Sequence, residues 1–360
     1  MLTYGFIGAG QVGGLLADAS KEMGYPSLAI NTANLDLSIL TKLEKQEKIH
    51  CVGYGGAGKD RSIGREAFVA NLDVLKEKII RHYEQCQVIF PVFAAGGGTG
   101  SGMGPMLIQF LTEWFQDKVI APIVFLPEKS ESPRAKMNAL ECFSEMSMID
   151  DIGATFIIDN QKVVELNRSV PLKLKHVTAR NELLTHLHYL NQMTEKPSNI
   201  SNLDEMDLLT TLSERGAAIL AGITIEEYDV KHPGKISERL LKAIEFSIFA
   251  KTEKQGVSKA SLLMELEPEI TTDLKAEAIL QEIGMPLEIF TGIYEVPERS
   301  KIYACLTGLP FPTALMNEME DEIRQKEEKL QKTIMHARTQ TFDVKSSWTD
   351  SLKRQRKIKV

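Results

Sequence analysis

Short runs of almost wholly apolar residues alternate, through the first 160 positions, with stretches whose apolar residues recur at helical spacing. Tyr4 to Ile7 predicts a strand, followed by a glycine-rich turn and a helix through Leu15, Leu16 and Met23. Ser27 to Ile30 predicts a second strand that ends at Asn31-Thr32. The turn-rich passage "GYGGAGKDRSIG" then leads into an amphipathic helix carrying Phe68, Leu72, Leu75, Ile79 and Ile80. Val88 to Phe93 is a buried strand, and behind it "AAGGGTGSGMGP" packs six glycines into twelve residues. A helix with Met106, Leu107, Phe110, Leu111, Trp114 and Phe115 follows, with Pro105 expected in its first turn, where a missing N–H is harmless. "VIAPIVFLP" and "GATFIID" supply two more buried strands. Strands joined through helices build a parallel sheet covered on both faces, with ligands at the C-terminal ends of the strands. Every glycine-rich turn falls at that edge.

The second half reads differently. Residues 1–171 form the α/β domain, and 172–216 hold a long central helix, marked by Leu183, Leu184, Leu187, Leu190 and Met193, with the polar loop "PSNISNLDEMDLLTTL". Residues 217–310 read as a smaller α/β domain. A charge-dense helix over 311–342, on the order of 40 Å long, precedes a basic tail at 343–360.

Composition narrows the class. The chain has 360 residues, 43% hydrophobic and 25% charged, with net charge −7, which argues against a body coated for nucleic acid or anionic lipid. No apolar run approaches the roughly 20 residues of a membrane span and no signal peptide is evident, so a cytoplasmic protein without membrane partners is expected. Cys51, Cys86, Cys142 and Cys305 lack metal-type spacing and read as reduced, packed thiols. His176, His186 and His188 lie on the central helix; the last two, two residues apart, do not share a face, and no metal site is expected there.

Three glycine loops carry the chemistry. Gly8-Ala9-Gly10-Gln11-Val12-Gly13 matches the dinucleotide pattern, but the ribose-binding acid expected after the second strand is replaced by Asn31. Gly53 to Asp60 nearly spells a P-loop, with Asp60 where a magnesium-binding hydroxyl belongs. In the third loop, Gly96-Gly97-Gly98-Thr99-Gly100-Ser101-Gly102, small residues at a helix start let several backbone N–H groups face one anion, aided by the helix dipole.

That seven-residue string resembles the signature GGGTG(T/S)G of the tubulin, FtsZ and TubZ superfamily. The resemblance implies a tubulin-like fold: a Rossmann-like GTPase domain with a parallel sheet, a central helix, a smaller C-terminal α/β domain and a long C-terminal helix. It implies GTP and GDP as ligands, with Mg2+ held mainly by phosphates and water. Phosphate contacts are implied for Gly10, Gln11, Val12 and for the signature loop from Gly96 through Gly102. Contacts around the γ-phosphate and Mg2+ are implied for Asn31, Thr32, Asn34, Gly55, Gly56, Ala57 and Gly58. In "PEKSESPR", Glu131 takes the place of the ribose contact, although its spacing to Arg134 departs by one residue from the FtsZ pattern. Asn160 in "IIDNQK" and Asn181 in "TARNELL" would read the guanine base; ordinary caps or exposed amides are the alternative.

Asn202-Leu203-Asp204-Glu205-Met206-Asp207 matches the N-x-D-x-x-D loop of FtsZ-type proteins. Spacing of three puts Asp204 and Asp207 on one helix face, where two carboxylates can orient a water for attack on a γ-phosphoryl group. The resemblance places that loop over the nucleotide of the next subunit in a head-to-tail filament. Read without it, Asp204 is an N-cap and Asp207 a first-turn acid. Lys353, Arg354, Arg356, Lys357 and Lys359 make the tail basic; the net −7 includes these five, so the body stands at −12. Such an ending resembles the TubZ group, partition GTPases whose tail engages a DNA-bound adaptor of the TubR type and, through it, plasmid or phage DNA. An FtsZ-type division filament and a non-polymerising nucleotide-binding module are the other two readings.

Overall fold

The computed structural model describes residues 1–225, 229, 233–252, 256–268 and 275–339. The elements run β1 (Tyr4–Ala9), α1 (Gly10–Glu22), β2 (Ser27–Asn31), α2 (Asn34–Ser38), β3 (Lys48–His50), α3 (Arg61–Ala70), α4 (Leu72–His82), β4 (Val88–Ala94) and α5 (Thr99–Trp114). Then come β5 (Val119–Ile120), β6 (Ile123–Leu126), α6 (Pro133–Met146), β7 (Ala154–Asp159), α7 (Asn160–Leu166), α8 (Leu172–Met193) and α9 (Glu205–Leu212). The remainder is β8 (Gly216–Thr224), α10 (Pro233–Glu245), β9 (Lys259–Leu266), α11 (Ala276–Leu280), β10 (Glu288–Glu295), β11 (Lys301–Leu309) and α12 (Thr313–Thr339).

Eleven strands form one mixed sheet in the order β10-β9-β11-β8-β7-β6-β4-β1-β2-β3, with β5 beside β4. From β3 to β8 every pairing is parallel. β11 runs antiparallel between β8 and β9, and β10 pairs parallel with β9. The continuous apolar strands inferred from sequence are therefore buried on both faces, as parallel strands must be. Phe6 stacks on Phe90 with ring centroids 4.9 Å apart at the centre of the core. Because β1 lies between β2 and β4, the chain's strand order reverses there, and this switch point is where open α/β sheets bind ligands.

Local departures from the sequence pattern have identifiable causes. The single helix expected through Phe68 and Ile80 is two, broken at Asn71, whose side-chain amide donates to the Ala67 carbonyl at 2.8 Å and competes with the helical ladder. The predicted strand "VIAPIVFLP" is divided into β5 and β6 at Ala121-Pro122, since proline supplies no N–H to a ladder. β3, only three residues long, lacked any periodic signal.

Pro105 lies in the seventh position of α5 rather than its first turn, because the helix starts inside the glycine signature. The Ser101 carbonyl, which loses its i+4 donor there, accepts instead from Nε and Nη2 of the buried Arg61, at 3.3 and 2.9 Å.

The sheet is continuous across residue 216, so β8 joins the strands on either side of it. α12 packs along α6, where the buried Lys136 ammonium meets Glu322 and the Lys129 carbonyl, and Lys326 reaches the Glu131 carbonyl at 3.3 Å. The basic tail, including Lys353, Arg354, Arg356, Lys357 and Lys359, lies outside the described residues. Among the described residues, no helix is long and apolar enough to cross a membrane.

On α8, His188 shares a 2.7 Å hydrogen bond with the Tyr25 hydroxyl, and His186 packs edge-on against Tyr303. Burial lowers the His186 pKa. Among the described residues, no three His, Cys, Asp or Glu side chains cluster as metal ligands.

Candidate nucleotide-binding site

Two tight turns, one after β1 and one after β4, meet at the switch point. Gly10 sits at φ +76, and a Cβ there would stand 3.1 Å from the Gly100 nitrogen, so the first turn requires glycine for conformation and for closeness. α1 and α5 start directly from these turns, and neither has a side-chain N-cap. The first-turn N–H groups of both helices are thus left for an incoming anion, and each dipole contributes about half a positive charge.

Between them lies a cleft of about 310 Å³. It is lined by Gly10, Gln11 and Val12 from the first loop, Gly56, Ala57 and Gly58 from the second, and Gly97, Gly98, Thr99 and Gly100 from the signature. Beneath it the Thr32 and Thr99 hydroxyls are hydrogen-bonded at 2.7 Å, joining the end of β2 to the start of α5. Asn31 caps the next turn: its Oδ1 accepts from Ala33 N at 3.1 Å and its Nδ2 donates to Asp36 at 3.1 Å.

Other residues singled out in the sequence do not line this cleft. Asn34 is exposed at the start of α2. Gly55 is exposed on the second loop, next to Gly56. Gly96 packs beneath the signature against Pro127 and Ala135. The Ser101 hydroxyl turns back to the Gly97 carbonyl. Gly102 serves packing: a Cβ would come within 2.3 Å of the Arg61 carbonyl, so it lets α3 lie against α5. The signature therefore has two physical jobs, an anion-facing half and a helix-packing half.

The near-P-loop is not used as a P-loop. Lys59, in the left-handed region at φ 62, turns its ammonium to Glu131 at 3.1 Å. Asp60 is the N-cap of α3, accepting from the Ser62 hydroxyl and backbone and paired with Arg134, and these bonds lower its pKa. The amide of Asn138 donates to the carbonyls of Lys59, Gly96 and Gly97 at 3.0 to 3.2 Å, tying the second loop to the signature. Nothing in the spacing of the sequence pointed to Asn138 or to Asp36, which lines the cleft. Of the two amides that the resemblance implies for the base, Asn181 is exposed on α8, while Asn160 has a buried Oδ1 with no partner among the described residues. An orphaned buried acceptor is costly unless a ligand completes it.

Asp204 and Asp207 form a reciprocal capping box at α9. Asp204 Oδ1 accepts from Asp207 N at 2.9 Å, and Asp207 Oδ2 accepts from Asp204 N at 3.1 Å. The other oxygen of each carboxylate makes no hydrogen bond among the described residues. Burial raises the Asp207 pKa; the Asp204 N–H lowers it and the Asp204 charge raises it again. The pair sits at the edge of the sheet opposite the cleft. α9 ends against the N-terminal side of β7, where Gly153 meets the Leu212 carbonyl, and the Met1 nitrogen bonds Glu205. The cleft opens at the far end of β1, so roughly 25 Å of extended chain separates them.

A phosphate-sized cradle of uncapped helix starts and glycine turns, at the switch point of a parallel sheet, defines a nucleotide-binding protein of the doubly wound class. Comparison with known proteins gives the family. Residues 7–168 match the Tubulin/FtsZ family, GTPase domain, and this part of the chain is a GTPase domain of that family, which implies binding of GTP and GDP. The tubulin-like protein CetZ of Pyrococcus abyssi is 27% identical over 318 residues, 84% of each chain. The cell division protein FtsZ of Aquifex aeolicus is 25% identical over 340 residues, covering 90% of this chain and 88% of its own. The GTPγS-form protofilament of TubZ from Bacillus thuringiensis serovar israelensis shares the fold, with a TM-score of 0.80 and 21% identity over 93% of this chain and 94% of that one.

Proposed function

We propose that this protein assembles head to tail into GTP-dependent filaments in the cytoplasm, each nucleotide being hydrolysed by Asp204 and Asp207 of the neighbouring subunit. The observation that carries this reading is the placement of the acid pair and the cleft at opposite edges of one sheet. A subunit cannot bring its own carboxylates to its own nucleotide, whereas translation along the strand direction brings one copy's acid edge to the next copy's cleft. Hydrolysis by positioning and charge stabilisation suits this arrangement, since little covalent chemistry is asked of the protein. Mg2+ is the expected partner of the triphosphate. Asn160 supports guanine selection, because its unpaired carbonyl oxygen fits the N–H donors on that base's edge.

We further propose that the filament moves plasmid or phage DNA, with the basic residues at 353–359 gripping a DNA-bound adaptor of the TubR type. The charge segregation between body and tail supports this, as does the shared fold with TubZ. The likeness to FtsZ favours a division filament as the second reading. Sedimentation with GTP against GDP, together with turnover measured across protein concentration, tests the core of the proposal. Filaments are expected with GTP, with turnover per molecule rising above a threshold concentration; turnover independent of concentration refutes shared hydrolysis. Capture of a DNA-bound adaptor by the full chain, but not by a chain ending before residue 343, separates the two biological readings.

A further inference from the structure

Fourteen residues line the cleft, and among the described residues the only charged one is a carboxylate, Asp36. None is Lys or Arg. The cations on flanking elements are committed elsewhere: Lys59 to Glu131, Arg61 to the Ser101 carbonyl and to Glu141 and Glu145, and Arg134 to Asp60 and the Lys59 carbonyl. Two helix N-termini supply about one positive charge together, well short of the roughly four negative charges of a triphosphate. A carboxylate in the same cleft adds to the deficit, and in a partly desolvated site that repulsion is stronger than in water.

Asp36 is nonetheless held in place. The Asn31 amide donates to its Oδ2 at 3.1 Å, leaving Oδ1 without a bond among the described residues, and Thr99, whose hydroxyl is bonded to that of Thr32, lines the same cleft. The oxygen donors available are hard ones, and no Cys or His lines the cleft, a donor set that suits Mg2+ rather than a softer metal. We propose that Asp36 is a protein ligand, direct or through one water, for the divalent cation that accompanies the triphosphate. This rests on the triphosphate reading above and adds a side chain to the phosphates and water expected to be the ion's main ligands. The carboxylate would then make triphosphate binding depend on the metal: repulsive without it, attractive with it.

The test compares GTPγS binding to wild type and Asp36→Asn, by calorimetry, in excess MgCl2 and in EDTA. In Mg2+ the variant should bind more weakly than wild type, and in EDTA more tightly, so the order of affinities crosses. The metal-dependence of wild-type affinity should be reduced by roughly tenfold in the variant, a usual size for coupling between two ligands. Equal weakening in both conditions means that Asp36 merely supports the turn, and overturns the proposal. Electron paramagnetic resonance of Mn2+ supplies a second reading on wild type itself, whose complex with GTPγS should hold Mn2+ more tightly than free GTPγS does. Affinity no better than that of free nucleotide overturns the proposal while leaving nucleotide binding intact. Failure of wild type to bind GTPγS under either condition overturns the triphosphate reading, and this inference with it.

Discussion

Replacing Asp204 by asparagine separates two jobs that its position combines. As the N-cap of α9 it accepts from the Asp207 backbone at 2.9 Å, and asparagine caps as well as aspartate does, so Asp204→Asn should cost only a few tenths of a kcal/mol of stability. Asp204→Ala removes the cap and should cost about 1 kcal/mol. Both substitutions remove the charge, and losing a positioned base or water-orienting carboxylate lowers turnover by about 10² to 10⁴. A hundredfold loss corresponds to about 2.7 kcal/mol of barrier, several times the expected change in stability for asparagine. Because Asp204 is at the edge opposite the cleft, GTP affinity should be unchanged. The assay is phosphate release per polymerised subunit, with urea unfolding of each variant measured in parallel. If Asp204→Asn turned over GTP within a few-fold of wild type while Asp204→Ala lost activity in step with its stability, Asp204 would be a cap and nothing more.

Three further outcomes follow from the geometry. Gly102→Ala places a methyl 2.3 Å from the Arg61 carbonyl, a backbone atom that cannot swing away, and should lower the unfolding free energy measured in urea by about 1–3 kcal/mol; an unchanged urea midpoint refutes the packing role. Burial raises the Asp207 pKa, so the acid limb of the turnover profile should lie above the ordinary aspartate range, and the stability contributed by this group should decline as pH rises from its unfolded to its folded pKa; a limb at the ordinary value contradicts this. Burial pushes the thiols of Cys51 and Cys86 up to about 11 and those of Cys142 and Cys305 to about 12, so none of the four should react with Ellman's reagent in the native protein at neutral pH, and all four should react in denaturant.

Much of the cleft was legible because its parts are local. Gly10, Gln11 and Val12, and Gly97 through Gly100, stand at strand ends with small residues in runs, and a strand, a turn and a helix start fix where backbone N–H groups point. Asp36 and Asn138 were not legible, since one stands in the first turn of the short α2 and the other on a helix about forty residues beyond the signature. The same limit hid the double use of the signature. That Gly102 makes room for Arg61 is a fact about α3, not about the string in which Gly102 sits.

By itself the sequence determined the alternation of strand and helix, the strand edge at which the glycine turns lie, and the small-residue start of the helix behind β4. Each of these depends on contacts between residues near one another in the chain. Only the tertiary structure decided that Lys59 faces Glu131 rather than a phosphate, that Arg61 occupies the carbonyl left by Pro105, and that the acid pair stands at the edge away from the cleft. Those depend on which distant elements meet, and pairwise spacing along a chain carries no information about that until the sheet is assembled.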